Sequence, residues 1–146
     1  MTTKAYIQTE SEEQRVLMSW AELEAQREHP ELALLYHVPN GGARNKATAG
    51  KLRAEGVKAG VPDLCLPVAR GGYHGLYIEL KRVQGGCLRE AQKQWLAALE
   101  AQGYRTAVCR GWAEAKAELL RYLEKEEGGA GDAVYPGGAG RNTRGR

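Results

Sequence analysis

The sequence has few of the features that mark secreted, membrane or zinc-binding proteins. Its 146 residues include three cysteines, an odd number with no C-x-x-C motif, so neither a disulfide framework nor a zinc site is expected. No hydrophobic run approaches the roughly 18 residues that a membrane helix needs, and the first residues do not open a secretory signal. The length predicts one domain. The absences predict a reducing compartment, no membrane partner, and Cys65 and Cys109 as small core residues.

Charge is low overall but unevenly distributed. The formal net charge is +3. The glycine-rich, basic tail at residues 128–146 has few apolar groups and is expected to be disordered. A basic cluster precedes the candidate site, where a single acidic residue accompanies five basic ones: Arg44, Lys46, Lys51, Arg53 and Lys58. This cluster predicts polyanion binding, and the alternative is an ordinary solvated helix face.

Hydrophobic periodicity and chain-breaking residues divide the sequence into helices and strands. Residues 1–9 show no pattern and are expected to be loose, ahead of one domain at residues 10–127. Helices are expected at residues 11–28, 43–55, 88–101 and 112–125, and strands at 32–38, 64–68, 76–82 and 104–109. The first helix is expected to open with a capping box of Ser11 and Gln14. Its expected buried stripe is Val16, Leu17, Trp20 and Leu23.

The most informative motif is Gly60-Val61-Pro62-Asp63, followed sixteen residues after the aspartate by Glu79-Leu80-Lys81. Strand residues two apart point to the same face, so Glu79 and Lys81 should share one. An antiparallel hairpin between the two strands would bring Asp63 close to both. Two carboxylates and a lysine suit a divalent cation and a phosphate. The alternative is a turn aspartate beside a solvated strand face.

Two polar residues fall on apolar helix stripes. Glu13 heads the stripe of the first helix, where it either stabilises the helix N-terminus or supplies a carboxylate to the site. Gln92 lies within the stripe of the third helix. Because a buried amide must be hydrogen-bonded, Gln92 either bonds a backbone group or reaches over the sheet to the carboxylates or a scissile phosphate.

Together these segments resemble the virus-type replication-repair nuclease (VRR-NUC) domain of the PD-(D/E)xK nuclease superfamily, in its stand-alone phage or bacterial type. The resemblance covers about residues 10–123. The most specific segment is Gly56-Val57-Lys58-Ala59-Gly60-Val61-Pro62-Asp63. The weaker segments agree with it in order and spacing: Ser11-Glu12-Glu13-Gln14, Asn40-Gly41-Gly42, Gly75-Leu76-Tyr77-Ile78-Glu79-Leu80-Lys81, Gln92 and Gly103-Tyr104. One departure is Arg89, where the family often has a serine or threonine helix cap.

The resemblance implies an α/β fold with a restriction-endonuclease-like core, in which helices flank a mixed β-sheet. It implies that Asp63, Glu79 and the backbone carbonyl of Leu80 bind Mg²⁺ or Mn²⁺. Lys81 would orient the attacking water or neutralise charge in the transition state, and Gln92 matches the family's glutamine. The family also has a glutamate on the first helix. Glu13 is the first choice because it faces the core, and Glu10 is the second.

The expected function is metal-dependent DNA endonuclease activity in the cytoplasm of a bacterial cell or a phage-infected host. The resemblance further implies a homodimer acting on branched DNA, with four-way junctions as the expected substrate. The basic cluster would hold the flanking phosphates. Two alternatives stay open at this point. One is a nucleic-acid-binding module without catalysis, and the other is a restriction-type enzyme that cuts duplex DNA.

Overall fold

The computed structural model describes residues 3–39, 46–127 and 134–136. Arg44, the Asn40-Gly41-Gly42 turn and most of the tail expected from residue 128 therefore lie outside the described residues. The helices are α1 (Glu10–Ala25), α2 (Lys46–Ala54), α3 (Glu90–Ala101) and α4 (Trp112–Leu123), with a 3-10 helix at Pro30–Leu34. The strands are β1 (Tyr36–His37), β2 (Leu64–Leu66), β3 (Leu76–Lys81) and β4 (Arg105–Arg110). None of the helices described is both long and apolar enough to cross a membrane.

The four strands form one sheet in the order β1-β2-β3-β4. The first three strands pair antiparallel, whereas β3 and β4 pair parallel because α3 crosses over between them, as parallel neighbours require. Helices α1 and α4 pack on the sheet and on each other, and α3 packs against β4. The predicted mixed sheet flanked by helices is thus confirmed.

The two faces of β3 have different roles. Leu76, Ile78 and Leu80 are at most 1% exposed and join Leu17 of α1 and Leu119 of α4 in the main core. Tyr77, Glu79 and Lys81 alternate with them and therefore lie on the opposite face. Both cysteines expected in the interior, Cys65 and Cys109, are buried and free.

The first helix differs from the prediction in its register. The capping residue is Thr9, not Ser11, since its hydroxyl accepts from the N–H of Glu12 at 3.2 Å and the Glu12 carboxylate accepts from the N–H of Thr9 at 2.8 Å. The buried stripe contains Leu17 and Ala21, whereas Leu23 is 64% exposed. The prediction of Leu23 as a core residue was wrong because the true stripe rises from Glu13 through Leu17.

The strand predicted at residues 32–38 is mostly absent. A 3-10 helix occupies Pro30–Leu34, with the proline in its first turn, where a residue without an N–H is favoured. Only Tyr36 and His37 are in a strand. Leu32 and Leu35 are buried in the core, so the apolar run has the burial predicted for it but not the backbone conformation.

Candidate active site

Asp63 immediately precedes the first residue of β2 and lies opposite Glu79. The pairing of Leu64 with Ile78 in antiparallel register places the preceding residue, Asp63, across from Glu79 on the same face of the sheet. Oδ2 of Asp63 accepts from the backbone N–H of Leu80 at 2.8 Å. One carboxylate oxygen is therefore anchored to β3 by the main chain.

Gly60 in the same motif allows α3 to approach the site. Its φ is +88°, and a Cβ added there would lie 2.7 Å from the backbone carbon of Ala91. Any other residue would combine an unfavourable backbone conformation with a clash. Ala91 immediately precedes Gln92, so this glycine permits the helix position that brings Gln92 over the sheet.

Glu79 is the most buried carboxylate of the site, at 2% exposure. Its Oε1 accepts from Nε2 of Gln92 at 2.8 Å and lies 3.4 Å from Nζ of Lys81. Its Oε2 is buried and accepts no hydrogen bond from the described residues, and its carboxyl group interacts with that of Asp63. Burial, and then repulsion from the Asp63 carboxylate, raise the pKa of Glu79 from 4.5 to about 8, with Lys81 acting in the opposite direction.

Gln92 satisfies both alternatives that the sequence left open. Its Oε1 accepts from the backbone N–H of Arg89 at 2.9 Å, which caps the first turn of α3 from within. The same oxygen accepts from Nζ of Lys81 at 3.2 Å, while Nε2 donates to Glu79. Gln92 thus bridges the carboxylate and the lysine. This bond is the glutamine half of a capping box, and it is distinct from the bond that a serine or threonine at position 89 would accept from the first turn of α3.

A cavity of about 200 Å³ opens beside Asp63, lined by Glu10, Ser11, Gln14, His37, Asp63 and Leu80. Glu10 reaches it from the first turn of α1. A Cβ added at Gly86 would lie 3.8 Å from Oε1 of Glu10 and 3.9 Å from Cδ of Lys81, so both side chains approach the same loop. The cavity joins α1, the end of β2 and the end of β3.

Glu13 faces the interior, as predicted, and contacts the start of α4. Its Oε2 accepts from the backbone N–H of Trp112 at 2.7 Å, at the start of α4, where a negative charge stabilises the helix N-terminus. The side chain is 4% exposed, as an inward-facing residue should be, but Glu10 and not Glu13 lines the Asp63 cavity. The second choice for the helix carboxylate therefore has the better geometry.

His37 was missed in the sequence. Its Nδ1 lies 2.9 Å from the backbone oxygen of Asp63, and the residue lines the cavity with Asp63 and Leu80. A lone histidine in an apolar run forms no motif. Its position became visible only when the run proved to contain a two-residue strand paired with β2.

The donor set fits a hard divalent cation. Two carboxylates face each other across the sheet, and one buried oxygen of Glu79 has no hydrogen-bond partner among the described residues. A buried oxygen without a partner is costly, and two adjacent negative charges repel each other. A cation with oxygen ligands, such as Mg²⁺, would relieve both penalties.

The basic cluster is exposed wherever the structure describes it. Lys46, Lys51 and Arg53 lie on α2, none of whose nine residues is buried, and Lys58 is exposed in the loop that leads to Asp63. The ammonium of Lys51 lies 3.9 Å from Glu55, at a surface where such a pair contributes little. Four of the five predicted DNA contacts are therefore accessible to a polyanion, and Arg44 lies outside the described residues.

The sequence of residues 7–113 matches the VRR-NUC domain family. Among solved structures, one titled "VRR_NUC domain protein" is 32% identical, with a TM-score of 0.71, and the match covers 86% of this chain and 94% of that one. No curated protein matches the chain significantly. The matched region includes every residue from Asp63 to Gln92 that the site brings together.

Proposed function

The chain belongs to the VRR-NUC domain family of nucleases, and from this premise we propose that it is a Mg²⁺- or Mn²⁺-dependent endodeoxyribonuclease. The observation that carries the proposal is the environment of Glu79. Its carboxylate is almost fully buried, faces Asp63, contacts Lys81 and Gln92, and retains one oxygen without a hydrogen-bond partner in the described part of the chain. A module that only bound DNA would gain nothing from two carboxylates beside a phosphate.

We propose that Asp63, Glu79 and the backbone carbonyl of Leu80 hold the cation, with Glu10 in the place first given to Glu13. A bound Mg²⁺ or Mn²⁺ would activate water and stabilise the negative charge that develops on the phosphate. Oδ2 of Asp63 is already oriented by the N–H of Leu80. The carboxylates are thus held in position before the substrate arrives, which lowers the cost of organising the site.

Lys81 supplies a positive charge that does not depend on the cation. Its ammonium is held by Oε1 of Gln92 and by Glu79, and it is 6% exposed. In this position it would orient the attacking water or bind a non-bridging oxygen of the scissile phosphate. An ammonium has three N–H donors, so when Gln92 and Glu79 each accept one, one remains for the substrate.

The proposed substrate is branched DNA, with the four-way junction as its specific form, and the proposed assembly is a homodimer. One chain offers one site, whereas resolving a junction needs two opposed cuts. Closed two-fold symmetry is the commonest way to duplicate a site, and it would match the pseudo-symmetry of the junction. We propose that the reaction takes place in the cytoplasm of a bacterial cell or a phage-infected host, where free cysteines persist.

A cleavage assay tests this proposal. The protein is incubated with Mg²⁺, with Mn²⁺ or with EDTA in the presence of end-labelled DNA, as a linear duplex, a flap or a four-way junction. Cleavage with either cation and none in EDTA is the expected result. The junction should give two nicked duplexes of matched lengths, and light scattering should give about twice the 16.0 kDa chain mass. Absence of cleavage of every substrate would refute the nuclease. A monomer that trims flaps would refute only the junction and the dimer.

Glu10→Gln and Glu13→Gln should impair different properties of the protein: metal binding and cleavage in the first, stability in the second. Glu10→Gln removes a charge from the Asp63 cavity, so we expect at least about a tenfold loss of cleavage and weaker Mn²⁺ binding with unchanged stability. Glu13→Gln weakens the charged hydrogen bond to Trp112, so we expect a loss of about 1–2 kcal/mol in the free energy of unfolding and unchanged Mn²⁺ affinity. Calorimetry measures Mn²⁺ binding, and thermal melts measure stability. Weaker Mn²⁺ binding in Glu13→Gln but not in Glu10→Gln would identify Glu13 as the ligand.

The basic cluster should determine affinity and not chemistry. We expect the triple variant Lys46→Ala, Lys51→Ala and Lys58→Ala to reduce the slope of log affinity against log salt by roughly one unit for each lost phosphate contact. The control is Lys125→Ala. The side chain of Lys125 packs on Gly71 in the hairpin turn, at the opposite end of β2 and β3 from Asp63, so its loss should leave the slope unchanged. A slope that stays the same in the triple variant would place the DNA on another surface.

A further inference from the structure

Tyr36, Cys65 and Tyr77 form one row across the sheet. Tyr36 pairs with Cys65 between β1 and β2, and Cys65 pairs with Tyr77 between β2 and β3. Paired residues share a face, and Tyr77 is two residues before Glu79 on the same strand. This aromatic row therefore lies on the catalytic face of the sheet. Tyr77 is roughly 7 Å along β3 from the buried carboxylate, and Tyr36 lies two strands, roughly 10 Å, across the sheet from Tyr77.

We propose that the aromatic row, with Tyr36 as its exposed member, stacks one unpaired nucleobase of the DNA next to the scissile phosphate. This inference rests on the proposed nuclease function and specifies its substrate. A base within a duplex has both faces covered by its neighbours, so an aromatic platform beside the cut selects nucleotides that have left the stack. Such nucleotides occur at the branch points of forks, flaps and junctions.

The row is built as a rigid surface. Tyr77 is partly buried, and Tyr104 packs edge-on against it, with ring centroids 5.3 Å apart and an interplanar angle of 78°. His74 also packs edge-on against Tyr104, with ring centroids 5.7 Å apart. Tyr36 interacts with the thiol of Cys65, which is itself 3% exposed. A side chain held in this way loses little conformational freedom when a base stacks on it.

Tyr36 has the exposure and charge that a nucleotide requires. It is 48% exposed, so one part of the ring is held and the rest is open to solvent. Its interaction with Cys65, followed by burial, raises its pKa to about 12, so the phenol stays neutral beside a phosphate. The basic cluster, proposed above to bind the flanking phosphates, is exposed wherever the structure describes it. Aromatic stacking combined with a basic surface is the usual means of binding single-stranded DNA.

The test measures equilibrium binding in EDTA, where cleavage does not interfere, with a fork that has unpaired bases and with a fully paired duplex. We expect Tyr36→Ala to weaken binding of the fork roughly tenfold, within the range measured for single stacking contacts, and to leave duplex binding unchanged. Tyr36→Trp should retain fork binding. The control is Tyr6→Ala, a tyrosine 75% exposed that contacts Glu12 on α1.

Abasic substitutions in the fork make the test independent of the variant's stability. One abasic position next to the branch should weaken binding of the unaltered protein and cause no further loss with Tyr36→Ala. Additive losses, or equal losses on fork and duplex, would overturn the proposal. A mass for Tyr36→Ala that differs from that of the unaltered protein in light scattering would also overturn it, because the row would then be a surface between two copies of the chain. Cleavage with Mg²⁺ is scored separately, so failure of the nuclease proposal remains distinguishable.

Discussion

Asp63→Asn and Glu79→Gln should each reduce the rate of DNA cleavage by at least about a hundredfold in the presence of Mg²⁺, since removing one electrostatic stabiliser of a transition state costs about 10²–10³. Both substitutions keep the size of the side chain and remove only its charge. The asparagine that replaces Asp63 can still accept from the N–H of Leu80, and the glutamine that replaces Glu79 can still accept from Gln92, so the fold should be preserved. Single-turnover cleavage of a labelled junction, flap or duplex measures the loss.

A matched control is Glu118→Gln on α4. Glu118 is a comparably buried carboxylate, at 8% exposure, but it pairs with Arg105 and Arg121 and takes no part in the site. We expect this variant to cleave at the unaltered rate, although it should lose some stability. Activity within about tenfold of the unaltered protein in either site variant would show that the carboxylates do not hold the catalytic cation.

The arrangement of β3 was predictable because a strand has a fixed period of two. Once Leu76, Ile78 and Leu80 are recognised as core, Tyr77, Glu79 and Lys81 must occupy the other face. The hairpin then determines where Asp63 lies. An amide on an apolar stripe requires a partner, but the sequence left open whether the partner of Gln92 is a backbone group or a carboxylate of the site. These features depend on local periodicity and on one short-range pairing.

The position of Glu13 was not predictable in the same way. A buried Glu13 could either bind a metal ion or accept a hydrogen bond at the start of another helix, and the sequence pattern is the same in both cases. The choice depends on where α4 begins, 99 residues along the chain. The start of α1 at Glu10 rather than Ser11 also places Glu10 in the first turn, facing the Asp63 cavity. Tertiary packing decided the roles of these two glutamates.

The region around β1 shows a second limit. An apolar run of seven residues predicts burial but does not distinguish a strand from a 3-10 helix followed by two paired residues. That distinction places His37 beside Asp63 and Tyr36 in the aromatic row. The sequence therefore lacked the register in which β1 pairs with β2. No motif around Tyr36 or His37 indicates that register.

The stability of the metal-free protein should depend on pH through Glu79. Its pKa is raised in the folded state to about 8, first by burial and then by Asp63, whereas in the unfolded chain it returns to an ordinary value near 4.5. Between these two values the folded protein holds a proton that the unfolded chain has lost. The free energy of unfolding must therefore fall as pH rises through this window, by up to about 1.4 kcal/mol per pH unit.

Glu79→Gln isolates this contribution because glutamine stays neutral at every pH. In EDTA we expect the variant to gain stability relative to the unaltered protein as pH rises from about 5 to about 8.5, by on the order of 3 kcal/mol. All other titrating groups are common to both proteins, so the difference between two sets of urea melts reports Glu79 together with its interactions with Asp63 and Lys81. Parallel stability curves would show that the carboxyl ionises in its ordinary range. At the upper end of this pH range, Mg²⁺ should restore the stability of the unaltered protein and leave the variant unchanged, because the cation stabilises the ionised carboxylate that burial and Asp63 disfavour.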